Sequence, residues 1–271
     1  MEFINLSSTA STLLITLYSR ANMSRKGLII KDTKAEEIIQ LAGYSQKKLK
    51  ASFSHQVFLS IRAKLMDDYT LNFLRKHDGN CTVIQIACGL DSRYLRMNDD
   101  RVKWYDLDLY GTIELRKKYY KNTKNYKMIE SNVCNFTWVD KIDPEDLKKP
   151  TLIIAEGLFM YLSKEDNEHV FSSLPKYFKD VDIIFDAFTP LVKAVSKHVP
   201  TLRRTNAYFS FGFKDPKVIE SMSEKLKHKQ TLSYHRNMYV KELPWHYRVF
   251  YWFRKIFADK MSRIEIYHIE K

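Results

Sequence analysis

Five short apolar, β-branched runs recur through the middle of the chain: Thr82 to Ala87, Val102 to Leu107, Tyr126 to Ile129, Thr151 to Ala155 and Val181 to Phe185. Runs of this length, bounded by turn residues, read as strands buried on both faces. Between them, Asp91 to Met97, Gly111 to Tyr120 and Lys164 to Phe178 have helical length, and Ser163 with Asp166 three positions on gives the last a capping-box-like start. Strand, helix, strand repetition joins parallel strands by right-handed crossovers, so the expected fold is α/β, a doubly wound sheet with helices on both faces.

The flanks add to this sheet without repeats, low-complexity tracts or Gly/Ser-rich linkers, so residues 1–271 read as one domain. Residues 1–80, with amphipathic runs at Ser11 to Arg20, Ala35 to Leu41 and Gln56 to Leu74, are expected to form a helical cap. Residues 81–188 form the core, 189–229 a helical insertion, and 230–271 the closing part. In that closing part Gln230 to His235 and Arg263 to Ile269 read as strands and Trp245 to Phe257 as an aromatic helix. The helix is expected to pack on the sheet with Arg248 and Arg254 reaching outward.

Composition excludes several classes. The chain is 45% hydrophobic and 14% aromatic, which argues for a packed core despite a net charge of +13. Residues 189–271 carry 17 basic and 7 acidic side chains, an excess suited to nucleic acid, an anionic surface or an acidic substrate. Cys81, Cys88 and Cys134 are odd in number and lack C-x-x-C spacing, so neither a disulfide framework nor a structural zinc follows, and a reducing, cytoplasmic setting is expected. The segment ahead of the apolar run Leu13 to Tyr18 holds Glu2 and no Lys or Arg, unlike a secretory signal. The best candidate span, Leu152 to Leu162, is short and broken by Glu156, so no membrane partner is expected. The eight histidines have no H-x-x-x-H or H-E-x-x-H spacing, so no metal site is expected, and no G-x-S-x-G elbow is present.

In an open parallel sheet ligands bind at the carboxyl ends of the strands. The first strand ends in Ala87-Cys88-Gly89-Leu90-Asp91, where Gly89 lets the backbone approach a ligand, while the G-x-G-x-x-G of dinucleotide binders is absent. Asp108, ending the second, stands 19 residues after Gly89, near the offset at which an acid meets ribose hydroxyls. A solvated strand end or a helix N-cap would equally use Asp106 or Asp108. The third strand is followed by Ser131-Asn132-Val133, and the fourth by Glu156-Gly157, a carboxylate beside a flexible turn.

The segments VIQIACGLDSRYLRM (83–97), WYDLDLYGTIELRKKYY (104–120) and PTLIIAEGLFMYLSKED (150–166), with RAKLMDDYTLNFL (62–74) upstream, resemble the leucine carboxyl methyltransferase family, including its tetracenomycin-type polyketide O-methyltransferase branch. The likeness covers most of residues 8–188 and extends less clearly to FSFGFKDPKVIE (209–220) and the closing strand. It implies a seven-stranded, mostly parallel Rossmann-like fold and an S-adenosylmethionine-dependent methyltransferase that releases S-adenosylhomocysteine. By motif, Arg62 would pair with the methionine carboxylate, Gly89 would let the cofactor lie against the first turn, and Asp108, with Leu109 beside it, would hold the ribose. Asn132 and Val133 would flank the adenine, and Glu156 would lie near the methionine amino group and sulfonium. Two positions depart from the pattern: Ala87 and Asn132 stand where the family usually has glycine and aspartate.

Methyl transfer rests on positioning, and a carboxylate acceptor needs no base, whereas a phenol or alcohol benefits from one. Tyr161, shortly after Glu156, is the candidate for orienting the acceptor, or else a packing residue. The acceptor would be a small molecule held by the N-terminal helices and the 189–229 lid, and Lys193, Lys197, Arg203, Arg204 and Lys214 there would favour an acidic one. The competing reading is a nucleic-acid binder or RNA methylase using the basic last third. A protein C-terminal carboxylate is the other possible acceptor.

Overall fold

The computed structural model describes residues 8–42, 51–198, 208–258 and 261–270. Among the described residues, three helices come first: α1 (Ser8–Arg25), α2 (Thr33–Leu41) and α3 (Phe53–Lys76). Asp32 caps α2 by accepting from the Ala35 amide, and Ser52 caps α3 through the His55 amide. The predicted stretches lie inside these helices: α1 and α3 run further at both ends, while α2 starts two residues earlier, after its Asp32 cap, and ends at Leu41 as expected.

Seven strands follow: β1 (Thr82–Ile86), β2 (Lys103–Asp108), β3 (Tyr126–Glu130), β4 (Thr151–Ala155), β5 (Val181–Phe188), β6 (Leu226–Leu232) and β7 (Ser262–Ile269). They form one sheet in the order β3-β2-β1-β4-β5-β7-β6. The first five pair in parallel, and β7 inserts antiparallel between β5 and β6. The expected doubly wound, seven-stranded, mostly parallel α/β sheet is therefore present. Helices α4 (Arg93–Met97), α5 (Tyr110–Lys117), α6 (Pro144–Leu147) and α7 (Lys164–Tyr177) connect the parallel strands. Beyond β5 come α8 (Pro190–Ser196), α9 (Lys217–Glu220) and α10 (Trp245–Ala258).

Alternation along the buried strands divides the core in two. Val83, Leu152, Ile154, Ile184 and Ile266 turn to the face covered by α1–α3, while Ile84, Ile153, Ile183, Phe185 and Tyr267 turn to the face beneath α7. Burying both faces is why these segments read as continuous apolar runs.

Three expectations need correction. Strand β5 extends past the expected Phe185 to Phe188, which pairs with Ser262 of β7, so Asp186 is a buried strand residue. The strand expected at Gln230 to His235 runs earlier, Leu226–Leu232, with a register shift between His228 and Gln230. Helix α10 forms where expected, but among its described side chains only Tyr247 and Tyr251 turn inward, and Trp245, Trp252 and Phe253 are exposed.

Ala87, just past β1, has φ +53°. This left-handed conformation costs an L-residue with a Cβ about 1–2 kcal/mol, which glycine escapes. Ala87→Gly is therefore expected to leave thermal stability unchanged or raise it by up to about 1 kcal/mol, against the loss of about 0.5–1 kcal/mol usual for Ala→Gly in a regular element. A clear fall in Tm would contradict this.

Candidate active site

The carboxyl ends of β1–β5 open into a cavity of about 820 Å³. Arg62, Ala87, Gly89, Asp108, Leu109, Asn132, Val133, Glu156 and Tyr161, the residues singled out in the sequence for the cofactor and for orienting the acceptor, line it. Helices α1 and α3 and the segment around Phe209 close its other sides.

The first turn is held from both sides. The Gly89 N–H donates to Asp108 Oδ2 at 2.8 Å, and the Gly89 carbonyl accepts from Arg116 Nη1 at 2.9 Å. Arg116 is itself buried and paired with Asp106, which also accepts from Tyr126 Oη at 2.7 Å. Asp106 thus has a structural task, and Asp108 is the carboxylate left facing the cavity. Gly89 has φ +54°, and a Cβ there would stand 2.6 Å from the Leu13 side chain of α1, so the turn is both left-handed and closely covered. Burial raises the Asp108 carboxyl above its usual range, a shift only partly offset by the N–H groups of Gly89 and Leu109.

Below the turn lies a buried network of arginines and carboxylates. Arg62 on α3 donates through Nε to Glu156 Oε1 (2.9 Å) and through Nη1 to Asp186 Oδ2 (2.8 Å). Arg93 bridges Asp67 Oδ1 (2.7 Å) and Glu156 Oε2 (2.5 Å). Arg96 joins Asp67, Asp91 and Asp32, and Arg20 of α1 joins Asp32 and Asp91. Burial pushes the Glu156 carboxyl up, but Arg62 and Arg93 more than reverse it and hold it below the usual carboxylate range. Burial dominates at Asp186, whose carboxyl lies above the usual range despite Arg62 and the Gly157 amide. Four arginines against five carboxylates leave one net negative charge beside the cavity.

The side towards α8 is aromatic. Phe188 lies 6.3 Å from Phe58 and 5.1 Å from Phe209, and Tyr161 meets Phe209 edge-on at 5.4 Å between ring centroids. Burial pushes the Tyr161 hydroxyl up to about 12, so it is a proton donor at neutral pH. His55, also lining this side, is lowered to about 4 by burial and by Arg62, so its ring is neutral there.

Some implied roles change in detail. Asn132 Oδ1 accepts from the Cys134 amide at 2.9 Å, capping the short helix Val133–Asn135, so only its second lone pair remains for a ligand. Lys193, Lys197 and Lys214 do not line the cavity, and Arg203 and Arg204 lie outside the described residues. The described wall is therefore aromatic where an acid-binding one was expected. Asp186, Arg93 and His55 escaped the sequence reading. The first two did leave a signal: charged residues set within or beside apolar runs need buried partners.

Residues 14–174 match the family model described as leucine carboxyl methyltransferase. The tetracenomycin polyketide synthesis O-methyltransferase TcmP of Streptomyces glaucescens is 33% identical over 222 residues, 81% of this chain and 81% of that protein. The chain belongs to the leucine carboxyl methyltransferase family. It is an S-adenosylmethionine-dependent methyltransferase. A second relative in sequence, the S-adenosyl-L-methionine-dependent methyltransferase dpfgK of Gibberella zeae, is 26% identical over 251 residues, 84% of this chain and 83% of that protein. In fold, a DUF574 family protein from Streptomyces avermitilis superposes with a TM-score of 0.55 at 9% identity, over 80% of this chain and 85% of that one.

Two outcomes test this description of the leucine carboxyl methyltransferase site. Arg93→Met strips a partner from Glu156, Asp67 and Asp91 and should cost about 3–5 kcal/mol in urea unfolding, and a loss below about 1 kcal/mol would mean the network is not structural. His55 should titrate near pH 4 by NMR. Because its folded pKa lies below the unfolded 6.5, the unfolded state binds the extra proton, and this residue's contribution to stability rises with pH between those values. An ordinary titration near 6.5 would refute its burial against Arg62.

Proposed function

We propose that this protein transfers the methyl group of S-adenosylmethionine to a hydroxyl or carboxylate oxygen of a small aromatic acceptor. The observation that carries the reading is the continuity of one cavity, from a carboxylate-bearing end at Gly89, Asp108 and Glu156 to an aromatic end at Phe58, Tyr161, Phe188 and Phe209.

The residues fit the cofactor. Asp108 accepts from the Gly89 and Leu109 amides and from the Thr112 side chain, and its remaining lone-pair capacity faces the cavity, where a ribose hydroxyl would donate. Leu109, Asn132 and Val133 would flank the adenine, and Ala87 and Gly89 would form the turn beneath it. Arg62 spends Nε and Nη1 on Glu156 and Asp186, leaving Nη2, beside Gly157, to meet the methionine carboxylate. The single net negative charge of the network complements a cofactor with one net positive charge. When bound, S-adenosylmethionine supplies an electrophilic methyl group on its sulfonium.

Glu156, held between two arginines, is too weak a base to take a proton at neutral pH, so it acts by charge and position. Tyr161 Oη, protonated at that pH, donates to the acceptor and orients it. A carboxylate acceptor attacks as it stands, and a phenol would pass its proton to water, since His55, lowered to about 4, is as weak a base as Glu156.

Calorimetric titration with S-adenosylmethionine should give binding that Asp108→Ala weakens by about 1.5–3 kcal/mol, tenfold or more. Unchanged affinity would remove Asp108 from the site. Incubation with aromatic hydroxy and carboxy compounds should give products one methyl group heavier on oxygen. Methylation of RNA with none of these compounds modified would overturn the reading.

A further inference from the structure

Helix α10 wears its apolar face outward. Trp245, Val249, Trp252 and Phe253 follow i, i+4, i+7, i+8 spacing and so share one side of the helix. They are 70%, 47%, 56% and 63% exposed. The opposite side holds the residues that pack inward: Tyr247, whose ring is 4.5 Å from Phe53, and Tyr251, which is buried and lines the cavity. A helix serving only the core would put these aromatics inside, and a contiguous exposed apolar stripe marks a surface that meets something else.

Charge decides what it meets. Between positions 236 and 260 the chain carries six basic residues against Glu242 and Asp259, within a final third of net charge +10. Exposed Lys241 and Arg248 stand on or just ahead of the helix. A second copy of this chain would bring like charges together, and a polyanion without an apolar phase would leave the stripe in water. An anionic bilayer satisfies both features, since tryptophan and phenylalanine enter the headgroup boundary while basic side chains meet lipid phosphates. No described helix is long and apolar enough to cross a membrane, so the contact is one of surface. We propose that α10 docks the protein on anionic membrane surfaces, its axis in the plane of the interface. Through Tyr251 on its inner side, this sets one wall of the cavity about one helix diameter from the lipid.

The test is flotation of the full chain with phosphatidylcholine vesicles, with and without 30% phosphatidylglycerol, at low and high salt. The protein should float with the anionic vesicles only, release as salt rises and show blue-shifted tryptophan emission. Trp245→Ser with Phe253→Ser should lose at least tenfold in partitioning while Tm and S-adenosylmethionine affinity hold, and Lys241→Gln and Arg248→Gln should each weaken it about fivefold. No flotation with anionic vesicles, or equal flotation of the double serine variant, would overturn the proposal. A dimer that the double variant dissociates, with no vesicle binding, would instead assign the stripe to a second copy, and salt-sensitive RNA binding alone would assign it to nucleic acid.

Discussion

The buried ion-pair network of Arg20, Arg62, Arg93 and Arg96 with Asp32, Asp67, Asp91, Glu156 and Asp186 is the constraint on which the rest of this molecule depends. Its members come from α1, the α2 cap, α3, the turn after β1, α4, the end of β4 and the middle of β5. Such networks contribute little net stability compared with apolar packing, but a buried charge without its partner is costly. The helical cap can therefore close over the strand ends only in the register that pairs every carboxylate. Hydrophobic contacts with the sheet tolerate small displacements of a helix, and these directional guanidinium contacts do not.

The same network prepares the chemistry. Its excess of one negative charge lies below the Gly89 turn, where a low-dielectric wall strengthens its effect on a cationic ligand. Glu156 is fixed by Arg62 and Arg93, and Asp186 by Arg62 and the Gly157 amide, so neither must reorganise when a ligand arrives. Positioning of this kind is most of what a methyl transfer requires from a protein. The second anchor, Arg116 with Asp106, holds the Gly89 carbonyl and frees Asp108 for the cavity.

The sheet was legible because strands buried on both faces must be apolar throughout, and Ile153, Ile183 and Phe185 obey that rule. The cavity wall was legible where a strand end carries a residue that packing cannot explain, as at Asp108 and Glu156. Asp186, a charge within an apolar run, signals a buried group, but the identity of its partner was hidden because Arg62 is 124 positions away, a separation no local pattern reveals. The lysines after β5 misled because charge clustering in sequence says nothing of direction, and Lys193, Lys197 and Lys214 stand away from the cavity. The aromatic helix misled for the opposite reason: its periodicity identified a helix with one apolar side but not which side met the core.

The most direct test of the account is a crystal structure of the protein with S-adenosylhomocysteine bound. The account predicts the adenosine along Gly89 and Asp108, the sulfur facing Tyr161 and Phe209, and the Arg62–Glu156–Arg93 contacts unbroken. A ligand seated elsewhere, or one that enters only by separating Glu156 from its two arginines, would contradict it.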